Sequence, residues 1–235
     1  MTATEIILRV ALLVGGYLFG LIETGMIYGK LKGVDIRKHG SGNLGMTNAL
    51  RVLGPKAGLV VFIGDLLKAF IPCLIVNLTT RAFYPDTYLI LVMYVGLGVV
   101  LGHNFPFYMG FKGGKGISSS AGAIIGLLNP WMCLILIATF FITLIITKYV
   151  SVSSIALMTV YFIVFTVFAL NGWLCFNPDD PVSHGVMVEG IIVAGVFAVL
   201  AIARHHENIG RLLRHEENKF SLHKSKDAEK KVEEK

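Results

Sequence analysis

Three polar clusters interrupt an otherwise apolar chain, and their residue types suit the handling of anions. The first is Gly40-Ser41-Gly42-Asn43-Leu44-Gly45-Met46-Thr47-Asn48-Ala49-Leu50-Arg51. Its glycines permit positive φ, so backbone amides can converge on an anion. Arg51 can add a bidentate grip on phosphate or carboxylate oxygens. A flexible loop whose Asn and Thr cap the next helix accounts for the same residues without a ligand.

The second cluster runs from Gly102-His103-Asn104-Phe105-Pro106 through Phe111-Lys112-Gly113-Gly114-Lys115-Gly116 to Ile117-Ser118-Ser119-Ser120. Gly-Gly-Lys-Gly directly before a helix aims free N–H groups and the positive end of the helix dipole at an anion. A Walker A loop would need G-x-x-x-x-G-K-[ST]. Met109 stands at the first glycine position and Gly116 follows the lysine, so an ATP-type loop is excluded. A membrane re-entry loop that uses glycine for close packing remains the plainer alternative.

The third cluster is Arg204-His205-His206-Glu207-Asn208-Ile209-Gly210-Arg211-Leu212-Leu213-Arg214. His205 and Asn208 share one helical face, as do Arg204, Asn208 and Arg211. A basic segment resting on lipid headgroups explains the arginines but not His-x-x-Asn. No carboxylate or cysteine set completes a metal site, so no metal is expected.

The elements that must position these clusters follow from composition. Of 235 residues, 54% are apolar and 15% charged, and mean hydropathy is +0.70. A soluble domain carries about 25% charged residues. Three cysteines, Cys73, Cys133 and Cys175, do not make a disulfide scaffold. The chain reads as an integral membrane protein. Apolar runs at 6–29, 57–79, 87–103, 117–129, 131–147, 151–172 and 186–203 predict seven helices. Pro130 suits the first turn of a helix and splits 117–129 from 131–147. The opening Met-Thr-Ala-Thr-Glu lacks the positive region of a signal peptide, so the first run is expected to remain as a span.

Basic residues favour the cytoplasmic side. All of them except Arg9, Lys68 and Arg81 fall in alternate loops and the C-terminal segment. Seven spans with the N-terminus outside place every basic loop inside; six do not. The expected fold is an all-α polytopic membrane protein, a bundle of seven transmembrane helices with a cytoplasmic C-terminus. Residues 1–218 form the transmembrane domain, and 219–235 a charged, disordered cytoplasmic tail. Asp65 and Lys68 are expected to neutralise each other inside the bundle, whereas Glu23 and Glu189 have no evident partner. The net charge of +6 admits nucleic acid, a membrane surface or an anionic substrate. Placing the charges by topology removes the need for nucleic acid.

Taken together, Ser-Gly-Asn-x-Gly-x-Thr-Asn (41–48) with Arg51, Gly-His-x-x-Pro (102–106) with Phe-Lys-Gly-Gly-Lys-Gly (111–116), and Arg-His-x-x-Asn-Ile-x-Arg-Leu (204–212) resemble the bacterial acyl-phosphate:glycerol-3-phosphate acyltransferase family. The resemblance covers essentially the whole chain. It implies a multi-pass enzyme of the bacterial cell membrane with its active site facing the cytoplasm and no cofactor. Its substrates would be glycerol 3-phosphate and a fatty acyl phosphate whose chain lies in the bilayer. Functional coupling to the enzyme that makes acyl phosphate would follow.

Carried over by position, Ser41, Lys115, His205 and Asn208 would be catalytic. Gly40, Asn43, Thr47, Asn48, Arg51, His103, Lys112, Gly113, Gly114, Gly116, Ser151 and Arg204 would bind substrate. Arg51 and Lys115 would hold phosphate, and the Gly113-Gly114 backbone would help to cradle the acyl phosphate. Met46 stands where the family usually has Ala. His205 would either take the hydroxyl proton or orient the substrate while the substrate's own phosphate takes it; the resemblance favours the latter. The H-x-x-x-x-D motif of acyl-CoA-dependent acyltransferases is absent. The rival reading is a transporter of an organic phosphate, whose site would lie near the bilayer midplane between repeats.

Overall fold

In the computed structural model, which describes residues 2–174 and 184–220, every regular element is helical. The described α-helices are α1 (Ala3–Gly20), α2 (Thr24–Leu31), α3 (Met46–Leu53), α4 (Pro55–Thr80) and α5 (Tyr88–Asn104), then α6 (Ile117–Gly126), α7 (Pro130–Thr147), α8 (Val150–Leu170), α9 (His184–Arg204) and α10 (His206–Leu213). Six segments are long and apolar enough to cross a membrane, with α1 and α2 counted as one. The seventh expected helix exists as α6, but it has only ten residues. Cys175 and most of the expected tail lie outside the described residues.

The bundle is organised around α5. Fifteen of its seventeen residues are buried, which fits a helix that is apolar on all sides. Helix α1 lies parallel to it at backbone contact distance. A Cβ on Gly16 would stand 2.2 Å from Val95 O, and one on Gly102 would stand 2.1 Å from Tyr17 O. The Gly16/Gly20 and Gly98/Gly102 pairs thus form small-residue seams, the usual means of close helix packing in lipid. On the other flank α6 runs alongside α4, with Gly122 against Leu66 O and Gly126 against Cys73.

Proline and asparagine mark the helix starts, at Pro130 as the sequence predicts. Pro55 and Pro130 open α4 and α7, and Asn129 Oδ1 accepts from Met132 N at 3.0 Å. Asn77 of α4 donates to Gly126 O at 3.2 Å and so satisfies the end of the short α6.

The first apolar run departs from expectation. Residues 6–29 are not one continuous helix; the chain breaks between Gly20 and Thr24. Glu23 is extended there, at φ −89° and ψ 92°, and is 1% exposed. The break frees carbonyls that lipid cannot satisfy. Tyr108 Oη donates to Leu21 O at 2.7 Å, and Lys68 Nζ donates to Ile22 O at 2.7 Å. Glu189 also gains partners: Arg9 reaches it at 2.8 and 3.0 Å and Tyr94 Oη donates at 2.9 Å. This ion pair joins the second turns of α1 and α9, at the end of the bundle away from Lys115.

Candidate active site

Four elements converge at the other end. Lys115, from the glycine loop, donates to Asn208 Oδ1 on α10. Asn208 Nδ2 donates to Glu217 Oε1 at 2.8 Å, and Ser151 Oγ on α8 donates to the same oxygen at 3.3 Å. Arg211 Nε donates to Glu217 Oε2 at 2.8 Å. Phe220 N donates to Lys148 O at 2.7 Å, which ties the chain past residue 218 to the α7–α8 corner.

The cluster is half-sealed, and its electrostatics follow from that. Burial, reinforced by the neighbouring Arg211, brings the Lys115 ammonium down to about 8. Burial also lowers Arg51, partly offset by Glu217, whose charge lies close enough to act on it. Although burial opposes it, Glu217 is held below the ordinary carboxylate range by hydrogen bonds from Arg211 and Asn208. His205 falls to about 4, first through burial and then through the charge of Lys115. Its Nδ1 lies 2.7 Å from Ala201 O. A carbonyl only accepts, so Nδ1 carries the proton and Nε2 presents a lone pair.

The glycine loop is bound by both of its neighbours. Gly113 N donates to Asn104 O at 3.2 Å and Gly114 N to His103 O at 3.0 Å. The Gly113 and Gly114 carbonyls in turn accept from Arg204, at 2.9 to 3.2 Å. Arg204 also sits 5.3 Å over the Phe105 ring. The amides of Gly113 and Gly114 are therefore spent on the end of α5. N–H groups without a backbone partner among the described residues begin at Lys115 and run to Ser119, just inside α6; Ser120 N donates to Gly116 O at 2.7 Å. Gly116, at φ 79°, turns the chain into that helix, where a Cβ would meet Asn104 Oδ1 at 2.6 Å. Lys112 is exposed on the approach.

The first cluster is mostly a self-supporting loop. Buried Asn48 donates to Ile36 O, His39 O and Asn43 O, and its Oδ1 accepts from Ser41 N at 2.9 Å. Gly40, at φ 59°, leaves room for that oxygen. Ser41 is exposed; its Oγ and its carbonyl are both 3.4 Å from Asn43 Nδ2. Thr47 is half-buried on the first turn of α3. Of this cluster, Arg51 alone has a charge that reaches the Lys115–Glu217 group. His103 is 3% exposed and faces an internal network instead.

Glu217 is the member that sequence reading passes over. It follows the third motif just inside the expected domain boundary at residue 218, and none of the three motifs includes it. The one signal was a carboxylate pair, Glu216-Glu217, directly after three arginines within eleven residues.

Relatives of this chain carry one activity. A family model for glycerol-3-phosphate acyltransferase matches residues 10–215. The chain belongs to that family. A glycerol-3-phosphate acyltransferase of Chlorobium phaeobacteroides is 39% identical, covering 91% of this chain and 98% of the relative. The enzyme of the same name from Bacillus subtilis is 38% identical over 88% of this chain and 95% of its own. Among solved structures, PlsY, an integral membrane glycerol 3-phosphate acyltransferase, superposes in its glycerol 3-phosphate form with a TM-score of 0.74. That pair is 37% identical and covers 91% of this chain and 96% of the other. A lysophosphatidic acid form of PlsY gives a TM-score of 0.72 at 36% identity, with the same coverage. This chain is thus an integral membrane protein of the glycerol-3-phosphate acyltransferase family.

Proposed function

We propose that this protein transfers a fatty acyl group from acyl phosphate to the 1-hydroxyl of glycerol 3-phosphate. The products are lysophosphatidic acid and inorganic phosphate. The carrying observation is the cation surplus around one internal carboxylate: Lys115, Arg51 and Arg211 against Glu217. A half-buried site with more fixed cations than anions is suited to phosphate. PlsY binds glycerol 3-phosphate and lysophosphatidic acid in the two related structures, which agrees with this substrate and product.

The chemistry needs little covalent help. The glycerol hydroxyl attacks the acyl carbonyl, the bond from that carbon to the phosphate oxygen breaks, and phosphate leaves with its electron pair. Positioning and stabilisation of the oxyanion supply the rate. Lys115 and Arg51 hold phosphate, and the amides from Lys115 into α6 take the place first expected of Gly113 and Gly114. Ser151 and Asn208 orient the glycerol, and Ser41, on its exposed loop, meets the substrate as it enters. A phosphate monoester has a pKa near 6. His205, at about 4, is the weaker base of the two. The hydroxyl proton therefore goes to the substrate's own phosphate, and His205 Nε2 accepts a hydrogen bond from the glycerol.

Seven crossings, with the N-terminus outside and the site facing the cytoplasm of a bacterial cell, fit the charge distribution and the course of α6 and α7. Helix α6 leaves the Lys115 end and α7 returns to it, since Lys148 and Ser151 meet Phe220 and Glu217 there. The test is purified protein with radiolabelled glycerol 3-phosphate and either acyl phosphate or acyl-CoA. Lysophosphatidic acid is expected from acyl phosphate. Product from acyl-CoA alone overturns the donor, and no product from either overturns the reading.

A further inference from the structure

Beneath the glycine loop lies a second set of ionisable groups, none more than 7% exposed: Glu23, Asp65, Lys68 and His103. They come from the α1–α2 break, the middle of α4 and the end of α5. Lys68 Nζ is 3.0 Å from Asp65 Oδ1 and 2.8 Å from His103 Nδ1, and it donates to Ile22 O. Glu23 Oε2 is 3.2 Å from the same His103 nitrogen. Charged groups within a membrane bundle are costly and mark function more often than packing.

The other edge of the His103 ring is what gives this set a purpose. A Cβ on Gly114 would stand 2.1 Å from His103 Nε2, 2.6 Å from Cε1 and 3.1 Å from Cδ2. Those are the three nearest atoms, so the ring is what denies Gly114 a side chain. Gly114 does not have a positive φ, and nothing in its backbone demands glycine. The carbonyl of His103 accepts from Gly114 N, and a Cβ on Gly113 would stand 2.0 Å from that same oxygen. Ring and carbonyl of one residue thus set the height of two consecutive loop residues, and the next residue is Lys115.

We infer that His103 is a positioning residue: held by Lys68 and flanked by Glu23, it sets the glycine loop, and through it Lys115, without meeting substrate itself. The inference rests on the acyltransferase reading of the site and adds a residue that acts at one remove. A network serving only to glue helices would need no contact between the ring and Gly114.

The test is a size exchange across that contact. His103→Ala, Gly114→Ala and the double variant are purified in detergent beside the wild type. Each is measured for kcat, for KM toward both substrates, and for calorimetric binding of inorganic phosphate. Each single change is expected to raise KM or weaken phosphate binding about tenfold or more, with kcat much less affected. In the double variant the methyl introduced at position 114 enters the space the ring vacated, so its loss is expected to be no greater than the worse single loss. Losses that multiply overturn the inference, as does a His103→Ala enzyme that loses kcat alone. If the alanine variants do not fold, Glu23→Gln serves, since it keeps shape and changes the group that lies 3.2 Å from His103 Nδ1. It is expected to raise KM without touching the site, and an unchanged KM overturns the inference. A wild type inactive with acyl phosphate defeats the proposed reaction instead; phosphate binding then still decides the role of His103.

Discussion

The two polar clusters differ in charge balance and in access to solvent. The outer one, around Lys115, Asn208, Arg211 and Glu217, has several cations for one internal carboxylate, with Glu207 on its exposed edge, and remains partly open. The inner one, Glu23, Asp65, Lys68 and His103, is fully buried and gathers its ionisable side chains around one ammonium. A fully buried ion pair is a structural commitment, because removing one member strands the other. An open set with surplus cations waits for an anion from outside. Similar residue types therefore do different work according to balance and burial.

That contrast can be broken from either side. Lys68→Met strands the buried Asp65 carboxylate and is expected to cost about 3–5 kcal/mol of stability. Thermal unfolding should register it as a midpoint lower by roughly 10 °C, at about 2–4 °C per kcal/mol for a chain of this size. Lys115→Ala should do the reverse: activity falls by roughly 10²–10³, the scale of losing a preorganised donor to a developing charge, while the melting midpoint hardly moves. A large drop in the midpoint of the Lys115 variant would erase the distinction between the clusters. Glu217→Gln lies between them, since it loses charge-assisted hydrogen bonds from Arg211 and Asn208. About 1.5–3 kcal/mol of stability should go with them, visible in the same melts.

The smallest effects concern pH. Lys115 titrates at about 8, below its ordinary value, so it is charged below that pH and neutral above it. The kcat/KM profile should fall as pH rises through about 8, and Lys115→Arg should remove that descending limb. His205, at about 4, stays neutral over the whole working range. His205→Ala should therefore lower activity without changing the shape of the profile between about pH 6 and 9. A lost ascending limb would restore His205 as the base.

Much of the span pattern was legible in the sequence because it depends on local composition. Some twenty apolar residues specify a membrane helix whatever lies elsewhere in the chain, and Pro130 and Asn129 mark a helix start by their own chemistry. The break at Leu21–Glu23 was hidden because its cause is remote: Lys68 and Tyr108 supply the partners that make it tolerable. Glu189 shows the same limit, since its partner Arg9 stands 180 residues away. In the site, Lys115 and Asn208 stood out by type and spacing. The work of Gly113 and Gly114 did not, because a glycine reads alike whether its amide is free or spent. The partners of Asn48 and His103 were illegible for a related reason: a polar residue within a motif reads alike whether it faces a ligand or the protein's own backbone and side chains.

The short α6 has a consequence for the surrounding lipid. Its last residue, Gly126, lies level with Cys73, and α4 continues seven residues further to Thr80. At 1.5 Å per residue, α6 therefore ends about 10 Å below the rim that α4 defines. Asn129, in the turn beyond it, donates to Trp173 O and Leu174 O at 2.9 and 3.2 Å, so polar backbone descends to the same depth. The apolar belt is thus uneven in height, tall along α4 and low beside α6, and the leaflet away from Lys115 must pucker inward there to meet it.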